Sequence, residues 1–273
     1  VARVEEGVEL RVAIKKNVTQ LQVGSSTPAV IRDAAGRELG ELDGMNALPA
    51  QTNNGGVSLG QWRSGQLSIE PTGGGYVWIG DRWYRGRTRL VRSGQVMVAI
   101  DQVDLEEYLY SVVGSEAFSN WPLEALKAQA VAARTYALYK RSNSKNGIFD
   151  LDTTIETQVY RGLEGETPST QQAVNETRGQ ILTYNGKVIL AVFHSSSGGH
   201  TENAEDVWRL RLPYLRGVVD YDATAPVFEW TKTFSATQLS KLISGVGTVK
   251  ALIPEKTTPQ GRVLTMKVVG DRG

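Results

Sequence analysis

The sequence contains no cysteine. That excludes a disulfide framework, thiolate-bound zinc and a cysteine nucleophile. It also lacks any apolar run approaching the roughly 20 residues that a membrane helix needs. No charge of one sign dominates: 30 Lys plus Arg stand against 29 Asp plus Glu, a formal net charge of +1. Such a balance calls for neither nucleic acid nor a membrane surface as partner. There is no internal repeat and no long low-complexity linker. The chain opens at Val1 without Met or an apolar signal segment, and it ends just after a strand-like run at residues 268–269. The expectation is that a signal peptide or membrane anchor has been removed ahead of Val1, and that the natural protein continues past Gly273.

What is present is a chain of 273 residues, 40% hydrophobic, with 29 glycines. This is enough to bury one large or two modest cores, and the glycines point to many turns and therefore strands. The first hundred residues read as β: residues 8–14 alternate in parts with period two, and 67–70, 76–79, 84–91 and 95–100 follow as short strands with glycine turns between them. Residues 29–32 and 38–42 flank Asp33-Ala34-Ala35-Gly36 as a hairpin, and 51–56 read as a Gly-rich loop.

The period then changes. Leu105, Tyr108, Leu109, Val112 and Val113 fall at i, i+3, i+4, i+7 and i+8, one face of a helix. Asp104 is its natural N-cap, Glu107 completes a capping box, and Gly114 is the expected stop. A second helix starts at Trp121-Pro122 and runs through an alanine-rich stretch of high helix propensity. Residues 170–178 read as a short helix stopped by Gly179. Asn185-Gly186 is a strong hairpin signal between two short strands. A tail of helix (236–243) and strands (248–253, 262–269) follows. The expected fold class is α+β. A β-rich region spans residues 1–80, and a catalytic part spans 81–273, built on helices at about 104–113 and 122–140 packed with antiparallel strands.

Several side chains are candidates for chemistry. Glu116 lies between the two apolar helices, flanked by Phe118 and Trp121. Apolar surroundings disfavour an ionised carboxylate, which suits a general acid; the alternative is an exposed loop glutamate. Arg134 sits deep in the alanine-rich helix, either in a structural ion pair, or orienting a carboxylate or sugar, or on the surface. Residues 195–199, Ser-Ser-Ser-Gly-Gly, leave a strand end where a ligand can approach the backbone. A nucleophilic serine there would need His194 or His200 as base, without an orienting acid at a diagnostic spacing. Glu106 with Glu107, and Asp150 with Asp152, form acidic pairs of the kind a two-carboxylate glycosidase uses. Glu106 and Glu107 lie off the apolar face and read as solvated, and Asp152 reads as a turn cap.

Three blocks, taken together, carry a resemblance. The first runs from Val103-Asp104-Leu105-Glu106-Glu107-Tyr108-Leu109 through Gly114-Ser115-Glu116 to Trp121-Pro122-Leu123-Glu124-Ala125-Leu126-Lys127-Ala128-Gln129-Ala130 and on to Arg134-Thr135-Tyr136. The second is Gln158-Val159-Tyr160-Arg161-Gly162. The third is residues 195–203 with Val207-Trp208 and Pro213-Tyr214-Leu215. Over about residues 82–220 the chain resembles the stage II sporulation protein D family, also called the amidase-enhancer family.

The resemblance implies an exported enzyme of the periplasm or cell envelope, either free or membrane-anchored in its full length, acting as a monomer. Its implied partners are the glycan strands of peptidoglycan and other cell-wall hydrolases, not nucleic acid. Its implied reaction is that of a lytic transglycosylase, cutting the MurNAc–GlcNAc β-1,4 bond to leave 1,6-anhydroMurNAc. Glu116 and Arg134 match the family's catalytic positions, and Gln158, Tyr160, Ser195, Ser196, Ser197 and Gly199 match positions that line the glycan groove. Some members carry a Cys/His zinc site after the long helix. Residues 142–149 contain neither residue type, so neither a metal nor another cofactor is expected.

Such a reaction needs only one carboxylate, because the sugar's tethered C6 hydroxyl serves as nucleophile at high effective molarity. A cation close to Glu116 would hinder its acid role, so Arg134 is expected to have another partner. The other reading is a non-catalytic glycan-binding module that recruits or stimulates an amidase.

Overall fold

A computed structural model describes residues 2–154 and 157–273. It divides into two compact units, Val1–Val192 and Phe193–Gly273.

The first unit opens with two sheets. A seven-stranded sheet runs in the order Leu151–Asp152, Glu9–Val18, Val96–Asp104, Arg87–Ser93, Gln66–Pro71, Ala29–Asp33, Glu38–Leu42. All of its pairs are antiparallel except Leu151–Asp152 on Glu9–Val18. A six-stranded sheet runs Arg82–Tyr84, Val77–Ile79, Gln20–Ser25, Asn46–Asn53, Gly56–Leu59, Trp62–Ser64. The strand Gly56–Leu59 packs over Gln66–Pro71 and Arg87–Ser93, so the sheets face each other. Val23, Val57, Leu59, Leu67, Ile69 and Leu90 are fully buried between turn-rich edges. Each such side chain contributes about 1.5–3 kcal/mol by leaving water.

The fold is α+β, as the sequence indicates. Two details differ. Residues 51–56 are not an open loop: Asn46–Asn53 and Gly56–Leu59 pair directly as a tight hairpin. The expected division near residue 80 falls inside the first unit, because Val77–Ile79 pairs with both Gln20–Ser25 and Arg82–Tyr84.

The strand Val96–Asp104 is buried almost continuously from Met97 to Asp101, the pattern of a strand covered on both faces. It leads straight into helix α1, Leu105–Glu116, where the Asp104 carboxylate accepts from the backbone N–H groups of Glu106 and Glu107. Helix α2, Leu123–Asn143, starts on Pro122. Its first half buries one face, through Leu126 and Ala130, and residues 133–138 are buried all round. Small alanines there let α1 and helix α3, Pro168–Glu176, approach closely. Among the described residues, no helix is long and apolar enough to cross a membrane.

The Asn185-Gly186 hairpin is present, with both residues at positive φ (49° and 74°), as its turn type demands. The second unit holds two short helices, α4 (Ala204–Trp208) and α5 (Ala236–Leu242), and a hairpin of Val249–Thr257 with Val263–Gly270.

Gly114 does not stop α1, which runs on to Glu116. The glycine is there for space: a Cβ would lie 2.0 Å from the Gly165 carbonyl oxygen. Backbone on that side cannot yield as a flexible side chain would. Gly114→Ala is therefore expected to destabilise the first unit by about 1–3 kcal/mol, read as a lower midpoint in urea. An unchanged midpoint would mean that the neighbouring turn gives way freely.

Candidate active site

Glu116 is the last residue of α1 and is half-buried, one position before the buried Ala117. Its Oε1 accepts a 2.8 Å hydrogen bond from the backbone N–H of Val159. Among the described residues it has no ion-pair partner. Phe118 and Trp121 do not enclose it in an apolar pocket, for both are exposed and stack edge-to-face on one another.

The donor at Val159 is set by its two neighbours. The Gln158 side chain lies between α1 and α2: its Oε1 accepts from the Tyr108 hydroxyl at 3.2 Å, and its Nε2 donates to the Ala133 carbonyl at 3.2 Å. The Tyr160 ring lies against Tyr84 and Tyr108, with centroids 5.3 and 4.8 Å away, and its hydroxyl donates to Asp101 Oδ2 at 2.8 Å. The next N–H, of Arg161, donates to Ser111 Oγ. Gln158 and Tyr160 are thus buried, at 0% and 3% exposure. This corrects the expectation that they line a groove. Their alternate spacing sends both side chains into the core and leaves the backbone between them facing the carboxylate.

Arg134 is fully buried. Its Nε and Nη2 donate to the two oxygens of Glu106, at 2.9 and 2.6 Å. Its remaining donors reach the carbonyls of Ala130, Val174 and Gln180. Glu106 Oε1 also accepts from the Gly179 N–H. Glu106 is 7% exposed, so it is not solvated. The readable signal was its spacing: it stands three residues before Leu109 and seven before Val113, on the margin of the apolar face. Arg134 has a partner other than Glu116, as its chemistry required. Asp152, read as a turn cap, does accept from Thr154 and Thr157, and it also pairs with Lys16.

Beneath these groups lies Asp101, which sequence reasoning did not single out. It is fully buried, and burial pushes its carboxyl well above the usual range against the opposing hydrogen bond from Tyr160. Among the described residues its Oδ1 has no hydrogen-bond partner, nor has Oγ1 of Thr88, the residue directly across the strand pair. Burial also raises the Tyr108 phenol, with the charge of Glu116 as the next cause.

The serine-glycine segment belongs to the second unit, and its donors are turned inward. The Asp222 carboxylate accepts from Ser196 Oγ and from the backbone N–H groups of Ser197, Gly198 and Gly199, at 2.5–3.0 Å. The hydroxyl of Ser196 leads the causes that lower the Asp222 pKa, and the three N–H groups follow. Ser197 Oγ donates to Asp220. Neither hydroxyl is bonded to a histidine, so the arrangement offers no serine nucleophile; His200 Nδ1 faces the Thr201 carbonyl instead. Ser195 is exposed. The donor set expected to be open at Ser196, Ser197 and Gly199 is therefore filled from within.

Residues 93–184 match the family model described as stage II sporulation protein. An uncharacterized protein of Brachyspira hyodysenteriae is 37% identical over 190 residues, 68% of this chain and 52% of that protein. The stage II sporulation protein D of Bacillus subtilis is 36% identical over 194 residues, 63% of this chain and 55% of that one. The amidase enhancer of Bacillus subtilis is 43% identical over 131 residues, 48% of this chain and 17% of that one. The chain thus spans about half the length of the first and second of these relatives and a smaller part of the third.

Two outcomes are expected from the buried charges. Glu106→Ala leaves the Arg134 guanidinium unpaired and is expected to cost about 3–5 kcal/mol, whereas Glu106→Leu with Arg134→Met recovers most of that loss. Urea unfolding of the three proteins checks this, and a single variant as stable as the parent would contradict it. Asp101 has a raised folded-state pKa, so its contribution is complete below the unfolded-state pKa and is lost as pH rises through the folded value. Asp101→Asn, which mimics the neutral carboxyl, is expected to gain stability relative to the parent as pH rises from about 5 to about 8. Melting curves across that range read the difference, and parallel pH profiles would show that Asp101 is ionised in the folded chain.

Proposed function

We propose that the chain, whose residues 93–184 match the stage II sporulation protein model, is a lytic transglycosylase of bacterial peptidoglycan. The observation that carries the reading is Glu116: a half-buried carboxylate at a helix end, fixed through Oε1 by the Val159 N–H and paired with no cation among the described residues. The hydrogen bond on Oε1 leaves Oε2 to carry the proton.

In the proposed reaction, Glu116 protonates the glycosidic oxygen as the bond from C1 of MurNAc to O4 of GlcNAc breaks. The C6 hydroxyl of the same MurNAc attacks C1, and the O6–C1 bond forms. Glu116, now ionised, takes the O6 proton, which regenerates the acid and leaves 1,6-anhydroMurNAc. Because the nucleophile is tethered to the reacting ring, no second carboxylate is needed to activate water. The substrate's N-acetyl group or backbone carbonyls stabilise the positive charge that develops on the sugar. Arg134 acts at a distance, by holding α1 to α2 and so setting where Glu116 stands. On this reading the protein acts outside the cytoplasm, in the periplasm or cell envelope, alongside other wall hydrolases.

A second reading is favoured by one relative's name, amidase enhancer. On that reading the chain binds glycan without cutting it and stimulates an amidase.

Digestion of purified peptidoglycan, intact and stripped of stem peptides, separates the two. Mass spectrometry of the products is expected to reveal anhydro ends, lighter by one water than hydrolysed ends. Glu116→Gln is expected to lower the rate about 10²–10⁴-fold. Hydrolysed ends would convert the reading to a muramidase. No cleavage of either substrate, with acceleration of an added amidase, would replace it with the second reading.

A further inference from the structure

The segment that joins α1 to α2 begins one residue after Glu116 and carries two large exposed rings. Phe118 is 72% exposed and Trp121 is 44% exposed. Their centroids lie 5.9 Å apart at an interplanar angle of 61°. The turn that carries them is braced. The Trp121 N–H donates to the Phe118 carbonyl at 3.0 Å, and Ser169 Oγ, from the first turn of α3, donates to the Ser119 carbonyl at 2.8 Å. Pro122 then fixes the entry into α2. The rings are therefore held in the open on a short, tied loop.

We propose that Phe118 and Trp121 form a carbohydrate-stacking subsite that takes the C–H face of an N-acetylhexosamine ring next to the bond that Glu116 cleaves. The proposal rests on the reading of Glu116 as the acid and extends it to substrate binding. Three observations favour a sugar as occupant. Two rings are too small a patch for a stable protein interface or a lipid surface, which needs several hundred Å² of contiguous apolar area, yet they match one or two pyranose rings. An edge-to-face pair leaves a flat π-face of each ring available, and the axial C–H groups of a pyranose are its natural complement. Phe118 is two residues from Glu116, so their Cα atoms are at most about 7 Å apart. The two residues are therefore close enough in the chain for one disaccharide to reach both.

The test uses the full chain with Glu116→Gln, so that binding is measured without turnover, and peptide-stripped glycan strands as the probe. In isothermal titration, Phe118→Ala and Trp121→Ala are each expected to weaken binding roughly five- to tenfold. Phe118→Tyr and Trp121→Phe, which keep a ring, are expected to stay close to the parent. Exposed side chains make these changes cheap to the fold, and unchanged melting curves for all four variants verify that. With Glu116 restored, loss of either ring is expected to raise KM with little change in kcat. Alanine variants that bind like the parent, aromatic variants that lose as much as the alanine ones, or a parent that does not bind stripped glycan would each overturn the subsite. Weakened binding on ring removal in a chain that produces no anhydro ends would uphold the subsite while overturning the enzyme reading.

Discussion

The Arg134 guanidinium has no contact with solvent, and all of its donors are spoken for by Glu106 and three backbone carbonyls. An unpaired cation in that position would be prohibitively costly, so the interior of the first unit is arranged around it. Arginine suits the place better than lysine, because its planar fork meets both oxygens of a carboxylate at once. The carbonyls it reaches belong to α2 itself, to the end of α3 and to Gln180. Glu106 adds the Gly179 N–H from the other side. One pair of side chains thereby ties α1, α2, α3 and the start of the Gln180–Ile181 strand into a single body.

That body also positions Glu116, the proposed acid. Glu106 and Glu116 stand at opposite ends of α1, ten residues and about 15 Å of helix rise apart. The cation that organises the helices is thus kept away from the acid. Glu116 answers instead to Val159, whose N–H is aimed by the burial of Gln158 and Tyr160 on either side. The tyrosine stack of Tyr84, Tyr108 and Tyr160 connects this short segment to the sheets, and the Tyr160 hydroxyl finds its acceptor in Asp101 on the strand that feeds α1. The β layer therefore reaches the site through a buried hydrogen bond.

Much of this was legible in the sequence where one residue's chemistry implies its local structure. The period of Leu105, Tyr108, Leu109, Val112 and Val113 located α1, Asp104 marked its cap, and Asn185-Gly186 marked the hairpin turn between Thr183–Tyr184 and Lys187–Val188. The place of Arg134 among alanines left a buried ion pair, an orienting role and a surface position open, and the structure selects the first. What could not be read depends on contacts between distant segments. Gly114 looked like a helix stop because its packing against Gly165 is invisible in one dimension. Glu106 looked solvated because a carboxylate on the margin of an apolar face is ambiguous until the opposing helix supplies a cation. The family resemblance implied a groove position for Gln158 and Tyr160, where the structure has buried, hydrogen-bonded side chains. The role of Val159 lies in its backbone, which no side-chain pattern announces.

The same distinction bears on Ser196, Ser197 and Gly199. Small residues at a strand end make backbone donors available, but availability to a ligand also requires that no internal acceptor takes them. Asp222, some twenty-five residues on, supplies that acceptor and gathers three backbone donors and a hydroxyl on its two oxygens. Any anion seeking those donors would have to displace a carboxylate already held by four hydrogen bonds. Glu116 is in the opposite condition: a single backbone N–H holds Oε1. The proposed acid role needs a carboxylate with oxygen left free for substrate, whereas Asp222, held by four hydrogen bonds, serves the fold. The number and direction of the donors on each acid, more than its residue type or its neighbours in sequence, separate Glu116 from Asp222 in this chain.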